Sequence, residues 1–268
     1  MTSITHSQAL KKLAADILVQ TLDEDLARLL ARVMRQTRGG VDINSVLQPL
    51  LRRWNCVLQA SDTVASANYR HKTAVALAIL LHKYGIADAD INTQAEASID
   101  ALNDAVALGD DFFRKTDSIK TAFLHTPPSP LKRAPSQPDH LSFYRAGDVV
   151  SIQLDDRYYG AYVHRCARTN ESPVIEFYEA SFERMPSISE LLETRAKGMP
   201  SNDGSEYTAQ FSVSGMKFMP DPSAQIVLIK ACIDVPPDSS HLEKSPWLYT
   251  VSDIFQIQDS VLSMFSPI

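Results

Sequence analysis

The sequence predicts an α+β protein, in which an N-terminal all-α helical bundle is followed by a small antiparallel β-barrel with one inserted short helix. In residues 1–124, apolar side chains recur at helical spacing, whereas beyond residue 141 apolar and polar residues alternate with the period of a strand. Between these patterns, residues 125–140 contain five prolines. We therefore divide the chain into a helical bundle domain (1–124), a proline-rich linker (125–140) and a β-barrel domain (141–268).

The first three helices are predicted from apolar stripes and their flanking residues. A stripe at residues 10–18 predicts one helix, and a second begins near residues 21–23 and ends at the glycine pair 39–40. Asn44 is expected to cap the third helix, although Pro49 complicates its start because proline is tolerated mainly in a first turn.

The longest helix is predicted over residues 62–84. Its segment TAVALAILL, residues 73–81, is apolar on nearly all sides, so we expect this helix at the centre of the bundle. Two further helices are expected at 92–109 and 110–124. The prolines that follow favour an extended, semi-rigid connector, and a docked and ordered linker is the alternative.

The second half predicts strands separated by polar turns. Asp155 and Asp156 are expected to form the first turn. Ser187 and Glu190 have the spacing of a capping box and predict the inserted short helix. The predicted strands cover residues 149–154, 158–165, 174–180, 206–213, 224–233 and 249–258.

Negative charge is concentrated in the second half of the chain. Residues 1–123 contain 14 Lys or Arg and 14 Asp or Glu, whereas residues 141–268 contain 10 basic and 17 acidic residues, a net charge of −7. This charge would repel nucleic acid and attract a basic protein. The predicted partner is therefore a protein and not a nucleic acid.

Other sequence features narrow the class of protein. No segment approaches the ~18 apolar residues of a membrane span, and residues 1–20 lack the basic and apolar regions of a secretory signal. Cys56, Cys166 and Cys232 are dispersed and odd in number, which argues against a disulfide framework or a zinc site. We therefore expect a cytoplasmic protein with no membrane partner, no metal and no other cofactor.

A group of acidic and tyrosine side chains around the first predicted hairpins is the candidate binding surface. Tyrosine is enriched in binding interfaces because it offers a large contact area at low entropic cost. The alternative is a pair of turn aspartates beside a solvated strand face, with some of the tyrosines in the core. The predicted partner-binding residues are Asp155, Asp156, Tyr158, Tyr159, Glu176, Tyr178, Glu179 and Glu183.

Catalytic patterns are weak in this sequence. His164 and Cys166 lie two residues apart on one predicted strand, but neither a GxSxG motif nor an HxxxE helix accompanies them. Asp110 and Asp111 are explained by a helix start, where negative charge is favourable. The nine glycines form no phosphate-binding loop. We therefore predict a protein that is not an enzyme.

The strand segments GDVV (147–150), YGAYV (159–163) and IEFY (175–178) resemble the opening of the immunity protein 26 family of polymorphic toxin systems. This resemblance covers about residues 141–260 and implies an SH3-like barrel. It also implies an immunity protein that neutralises a secreted bacterial toxin in the cytoplasm, such as a basic nuclease delivered by type VI secretion. The helical first half lies outside the resemblance.

The oligomeric state is open, and a homodimer is one option. Two other functions are also open. The first is an adaptor or scaffold whose SH3-like barrel binds peptides. The second is a hydrolase, which would require a deep pocket lined by at least two of Asp155, Asp156, Glu176 and His164.

Overall fold

The computed structural model of the protein describes residues 4–37, 42–201 and 204–266. The chain forms two compact units, residues 1–138 and 139–268. The fold is mixed α+β, with the longer helices in the first unit and a six-stranded sheet in the second. Among the described residues, no helix has both the length and the apolar content needed to cross a membrane.

In the described part of the first unit, all regular elements are helices. The capping box of Thr5 and Gln8 starts the first helix, and Ala14, at φ +47, separates it from the second. The helices are α1 (His6–Lys11), α2 (Asp16–Gln36), α3 (Ile43–Leu58), α4 (Ala67–Lys83), α5 (Ala89–Asp104), α6 (Asp110–Phe113) and α7 (Thr116–Ile119), with a π-helical turn at Lys120–Leu124.

Several predicted helix starts are wrong by a few residues, and in α3 and α5 a different polar residue provides the cap. The predicted second helix begins earlier, at Asp16, and the glycine pair predicted to end it lies outside the described residues. Asp42, not Asn44, caps α3, since its carboxylate accepts from the backbone N–H of Asn44. Ser66 and Asp88 cap α4 and α5.

Helix α4 lies at the centre of the first unit, as its apolar sequence predicts. Residues 73–81 are all buried, and α4 packs against α1, α2, α3 and α5. The proline-rich segment is docked at the end of this helix, because Gly85 (φ +78) leaves room for the backbone of Ser129 and Leu131. A side chain at residue 85 would collide with that backbone.

A buried ion pair crosses the first unit between α2 and α3. The Asp25 carboxylate accepts hydrogen bonds from Arg53 Nε at 2.7 Å and from Trp54 Nε1 at 3.0 Å. The side chains of Arg53 and Asp25 are 1% and 4% exposed. A buried charge is costly unless it is paired, so removing either side chain of this pair would strongly destabilise the unit.

The second unit is built on one sheet, in the strand order β7-β1-β2-β3-β6-β8. Strands β1, β2 and β3 form an antiparallel meander, with β7 and β6 added antiparallel at its two sides. The strands are β1 (Val149–Leu154), β2 (Arg157–Arg168), β3 (Glu171–Phe182), β4 (Met199–Pro200), β5 (Glu206–Tyr207), β6 (Gln210–Ser214), β7 (Ile226–Lys230) and β8 (Thr250–Asp253).

Strand β8 departs from the predicted antiparallel arrangement, because it pairs in parallel with β6. Parallel neighbours need a long crossover connection, and the chain from residue 215 to residue 249 provides one. The described residues form an open sheet and not a closed barrel: β7 and β8 are its two edges, and β4 and β5 form a separate two-stranded sheet.

Two short helices complete the second unit. The capping box of Ser187 and Glu190 begins α8 (Ile188–Leu192), as predicted. The predicted last strand, residues 249–258, is wrong in its second half, where α9 (Gln256–Phe265) forms instead. The Asp253 carboxylate accepts from the backbone N–H groups of Phe255 and Gln256, which begins this helix.

We expect Asp25→Ala to lower the free energy of unfolding of the helical unit by about 3–5 kcal/mol, because it removes the buried carboxylate that accepts hydrogen bonds from Arg53 and Trp54. Asp62→Ala is the control. Asp62 is an exposed partner of Arg70, and its loss should cost about 1 kcal/mol or less.

Urea unfolding followed by tryptophan fluorescence measures both changes. Trp54 is fully buried in the first unit, whereas Trp247 is 76% exposed, so the fluorescence change reports mainly on the helical unit. Equal effects of the two substitutions would contradict an energetic role for the buried pair.

Candidate functional site

The turn between β1 and β2 presents two of the predicted binding residues to solvent. Asp155 and Asp156 are both exposed. Asp155 has a φ of +51, a conformation that aspartate tolerates better than most residues, and its carbonyl accepts from Gln153 Nε2 at 3.2 Å. The polar sequence therefore forms the predicted turn and places two carboxylates at the end of a hairpin.

The strand register brings two more predicted residues to the same end of the sheet. Tyr158 is half-buried and lies opposite Phe182 of β3. Glu183 is the next residue after Phe182, so it lies at the same end of the sheet. The Glu183 side chain is 90% exposed and lies 3.5 Å from the Arg157 guanidinium. We call Asp155, Asp156, Tyr158 and Glu183 the β1–β2 tip.

Glu179 lies away from the β1–β2 tip and is neutralised by neighbouring bases. Its carboxylate accepts a hydrogen bond from Arg195 Nε and lies 3.8 Å from Lys197 Nζ. Lys197 in turn binds Glu206 at 2.8 Å. Because these bases already offset its charge, Glu179 contributes less to the field of the surface than an isolated carboxylate would.

Glu176 is not part of the exposed surface, which corrects its prediction as a contact residue. It is 2% exposed, and its Oε2 accepts from His164 Nε2 at 2.8 Å. Glu176 lies opposite Tyr162 in the β2–β3 pairing, so its side chain lies on the same face of the sheet as Tyr162 and Tyr178. A buried carboxylate needs such a hydrogen bond, and His164 supplies it.

Tyr159 and Tyr178 are also core residues and not surface contacts. Tyr159 is 5% exposed and packs edge-to-face against Phe265, with ring centroids 4.9 Å apart. Tyr178 is 1% exposed and belongs to a buried cluster with Tyr162, Val149 and Leu191. The register places the two tyrosines on opposite faces of the sheet, Tyr159 against Phe265 of α9 and Tyr178 against Leu191 of α8, so both faces are covered here.

The inner tyrosines differ in the hydrogen bonding of their hydroxyls. Tyr162 donates to the carbonyl of Ile233 at 2.9 Å, whereas the Tyr178 hydroxyl has no hydrogen-bond partner among the described residues. Burial, together with the neighbouring Tyr162 and Glu176, raises the pKa of Tyr178 to about 12. Tyr162 and Tyr178 therefore stabilise the packing of the sheet and are not exposed to a partner.

The four residues that a hydrolase was expected to use form two separate pairs, Asp155 with Asp156 in the turn and His164 with Glu176 within the sheet. The β1–β2 turn and Glu176 are separated by about five residues of β2, or roughly 15 Å along the strand. Three surface grooves of the protein are lined by none of Asp155, Asp156, Glu176 and His164. In the described ranges, no three His, Cys, Asp or Glu side chains are placed to hold a metal ion.

The sequence prediction missed a groove of about 370 Å³ in the second unit. It lies beside β6 and the start of β8, and every residue that lines it is uncharged. Its sequence signal is the run PWLY at 246–249, in which aromatic and apolar residues follow one another without alternation. Its largest side chains belong to Met199, Tyr207, Phe211, Trp247 and Tyr249.

Together these features define a two-unit α+β protein with a carboxylate-bearing hairpin end and a separate uncharged groove. No protein-family model matches the chain, and neither a curated protein nor a solved structure shows significant similarity to it.

We expect Tyr178→Phe and Tyr162→Phe to have opposite effects on stability, although each removes one buried hydroxyl. Tyr162→Phe loses the hydrogen bond to Ile233 and should destabilise the protein by about 1 kcal/mol. Tyr178→Phe removes a hydroxyl with no described partner and should be neutral or stabilising by up to about 1 kcal/mol. Urea unfolding followed by far-UV circular dichroism compares them, and equal losses would be inconsistent with the difference in bonding.

The raised pKa of Tyr178 predicts a loss of stability at alkaline pH. Its pKa is about 12 in the folded protein against 10.0 for the free side chain, so its contribution is complete below pH 10 and is lost as the pH rises towards 12. The Tyr178→Phe variant lacks the titrating hydroxyl. Its free energy of unfolding should therefore rise relative to that of the unsubstituted protein as the pH increases from about 10 to about 12. Urea unfolding at about pH 9 and about pH 11 tests this, and a constant difference would contradict it.

Proposed function

We propose that this protein is an immunity protein, an antitoxin that binds and neutralises a secreted bacterial toxin in the cytoplasm. The observation that carries the proposal is the exposed β1–β2 tip, where Asp155, Asp156 and Glu183 extend from a sheet whose inner face is tightly packed. A rigid support keeps such side chains in position for binding. The resemblance of β1, β2 and β3 to the immunity protein 26 family supports the same proposal.

The charge of the second half favours a basic toxin, such as a nuclease delivered by type VI secretion. Residues 141–268 have a net charge of −7. A nuclease has a positive cleft for phosphates, and an acidic partner is attracted to such a cleft and associates rapidly. The same charge repels nucleic acid, so the protein would bind the nuclease and not its substrate.

In this proposal the predicted residues have two kinds of role. Asp155, Asp156, Tyr158 and Glu183 contact the toxin, whereas Glu179, which is paired with Arg195 and Lys197, is a secondary contact. The buried Tyr159, Glu176 and Tyr178 hold the supporting sheet in shape. The proposal takes the β1–β3 meander as the SH3-like part of the chain, and the register shifts between β2 and β3 near Tyr159 and Val163 would give it curvature.

A peptide-binding adaptor is the second candidate function, and the uncharged groove beside β8 favours it. Tyr207, Phe211 and Trp247 line this groove, and aromatic-lined grooves are the usual sites for peptide segments in SH3-like domains. The two candidates use different surfaces. An immunity protein depends on the β1–β2 tip, whereas an adaptor depends on the groove.

Affinity capture tests the proposal directly. The tagged full chain is used to isolate partners from a cytoplasmic extract, and the captured proteins are identified by mass spectrometry. The expected partner is a basic protein that arrests bacterial growth when it is expressed alone, and co-expression of this chain should restore growth. A partner that is harmless when expressed alone would overturn the immunity function and favour the adaptor.

Neutralising the tip should weaken toxin binding through the association rate. Asp155→Asn with Asp156→Asn removes two carboxylates, and asparagine also tolerates the backbone of residue 155. We expect the association rate to fall roughly tenfold at low salt, because steering by the acidic surface is lost. Surface plasmon resonance with the captured toxin, repeated at rising salt, measures this change.

The matched control is Glu193→Gln with Asp259→Asn. Both residues are exposed in the second unit, so this variant has the same net charge as the tip variant. Its association rate should change much less, because its carboxylates lie outside the β1–β2 tip. Equal effects of the two variants would show that net charge, and not the tip, controls binding.

A further inference from the structure

Strand β8 forms one edge of the six-stranded sheet and exposes an apolar surface. Among the described strands it pairs only with β6. Trp247, Leu248 and Val251, which precede or belong to this strand, are 76%, 80% and 79% exposed. An exposed apolar edge strand is a ready template for pairing with another strand.

The backbone of β8 shows which residue would form the new hydrogen bonds. The N–H of Ile254 donates to the carbonyl of Ser214, the last residue of β6, at 2.8 Å. Successive residues of a strand direct their N–H and C=O groups to opposite edges, so Ile254 and Ser252 face β6. Val251 therefore directs its N–H and C=O away from β6, towards the open edge.

Charge permits a second copy of this chain at the edge and gives a strongly basic partner no advantage there. Residues 141–268 carry a net charge of −7, so most of the surface of one copy repels the same surface of another. The run from Ser245 to Ser252 contains no charged residue, and neither does the groove beside it. Two copies can meet along this run without opposing like charges, whereas a strongly basic toxin gains nothing there.

The exposed area is sufficient for a dimer of modest affinity. Trp247, Leu248 and Val251 together expose on the order of 500 Å² of apolar surface, comparable to the largest patch on a typical monomer. Covering this surface on both copies would bury roughly 1,000 Å², which is the lower bound of a specific protein interface.

We propose that the protein forms a two-fold symmetric dimer in which β8 pairs antiparallel with β8 of a second copy. An axis beside Val251 lets this residue exchange both of its outward backbone hydrogen bonds with its counterpart. The two Asp253 side chains are then roughly 14 Å apart along the strands, so they do not face each other. The two sheets become one continuous twelve-stranded sheet.

Sedimentation equilibrium of the full chain at micromolar concentration tests the dimer. The expected mass is twice the 29.7 kDa of the chain. Val251→Lys places two ammonium groups opposite each other at the axis and should raise the dissociation constant at least tenfold. Val235→Lys is the matched control, because Val235 is 66% exposed outside β8 and should leave the dimer unchanged.

Trp247→Ala gives a second variant that removes apolar area without adding charge, and it should also weaken the dimer. A monomeric mass for the unsubstituted chain would overturn the proposal. A dimer that persists in both Val251→Lys and Trp247→Ala would place the interface elsewhere, which also overturns it.

Disulfide trapping tests the position of the axis. Cys232 is exposed, so the experiment uses the Cys232→Ser background. Val251→Cys should form an intermolecular disulfide rapidly under mild oxidation, because each residue 251 faces its counterpart. Thr250→Cys is the control: it would face Ser252 of the other copy and should cross-link far more slowly. Equal rates at the two positions would overturn the Val251 register.

The dimer is independent of the proposed immunity function, and salt distinguishes them. The dimer buries uncharged surface, so its dissociation constant should be nearly constant as salt rises, whereas toxin binding at the β1–β2 tip should weaken. If the chain is a monomer and instead binds an apolar peptide that Trp247→Ala releases, the dimer is overturned in favour of the adaptor.

Discussion

The register between β2 and β3 is the constraint on which the rest of the second unit depends. It places Tyr162 opposite Glu176 and Tyr158 opposite Phe182. Because side chains alternate between the faces of a strand, a slip of one residue would move Glu176 and Tyr178 to the opposite face of the sheet, away from their partners. The observed register buries Tyr178 against Leu191 of α8 and leaves Glu183 in solvent beside the first turn, which creates the β1–β2 tip.

The bond between His164 and Glu176 makes this register more specific than apolar packing alone would. A carboxyl group that is 2% exposed is costly without a hydrogen-bond partner, and His164 Nε2 supplies one at 2.8 Å. A shifted pairing would separate these two side chains or expose apolar neighbours. Asp25 and Arg53 have the corresponding role in the helical unit, where one buried ion pair joins α2 to α3. Each unit thus contains a buried polar pair whose partners lie on neighbouring elements.

The second unit has two surfaces that differ in their physics. The β1–β2 tip is charged and exposed, so its interactions are long-ranged and sensitive to salt. The β8 edge is uncharged and apolar, so its interactions depend on contact and on backbone hydrogen bonds. The two proposals are compatible, because the β1–β2 tip and the β8 edge are separate surfaces of the second unit.

Local sequence patterns were enough to predict several elements. Apolar periodicity identified α4 as the central helix, the capping box of Ser187 and Glu190 identified α8, and alternation around the turn at Asp155 identified the first three strands. Other features became visible only in the folded chain: which tyrosines are buried, the pairing of Glu176 with His164, the parallel pairing of β8 with β6, and α9 in place of the end of a predicted strand. Those outcomes depend on contacts between residues far apart in the chain, and a local pattern cannot specify which face or edge such contacts will cover.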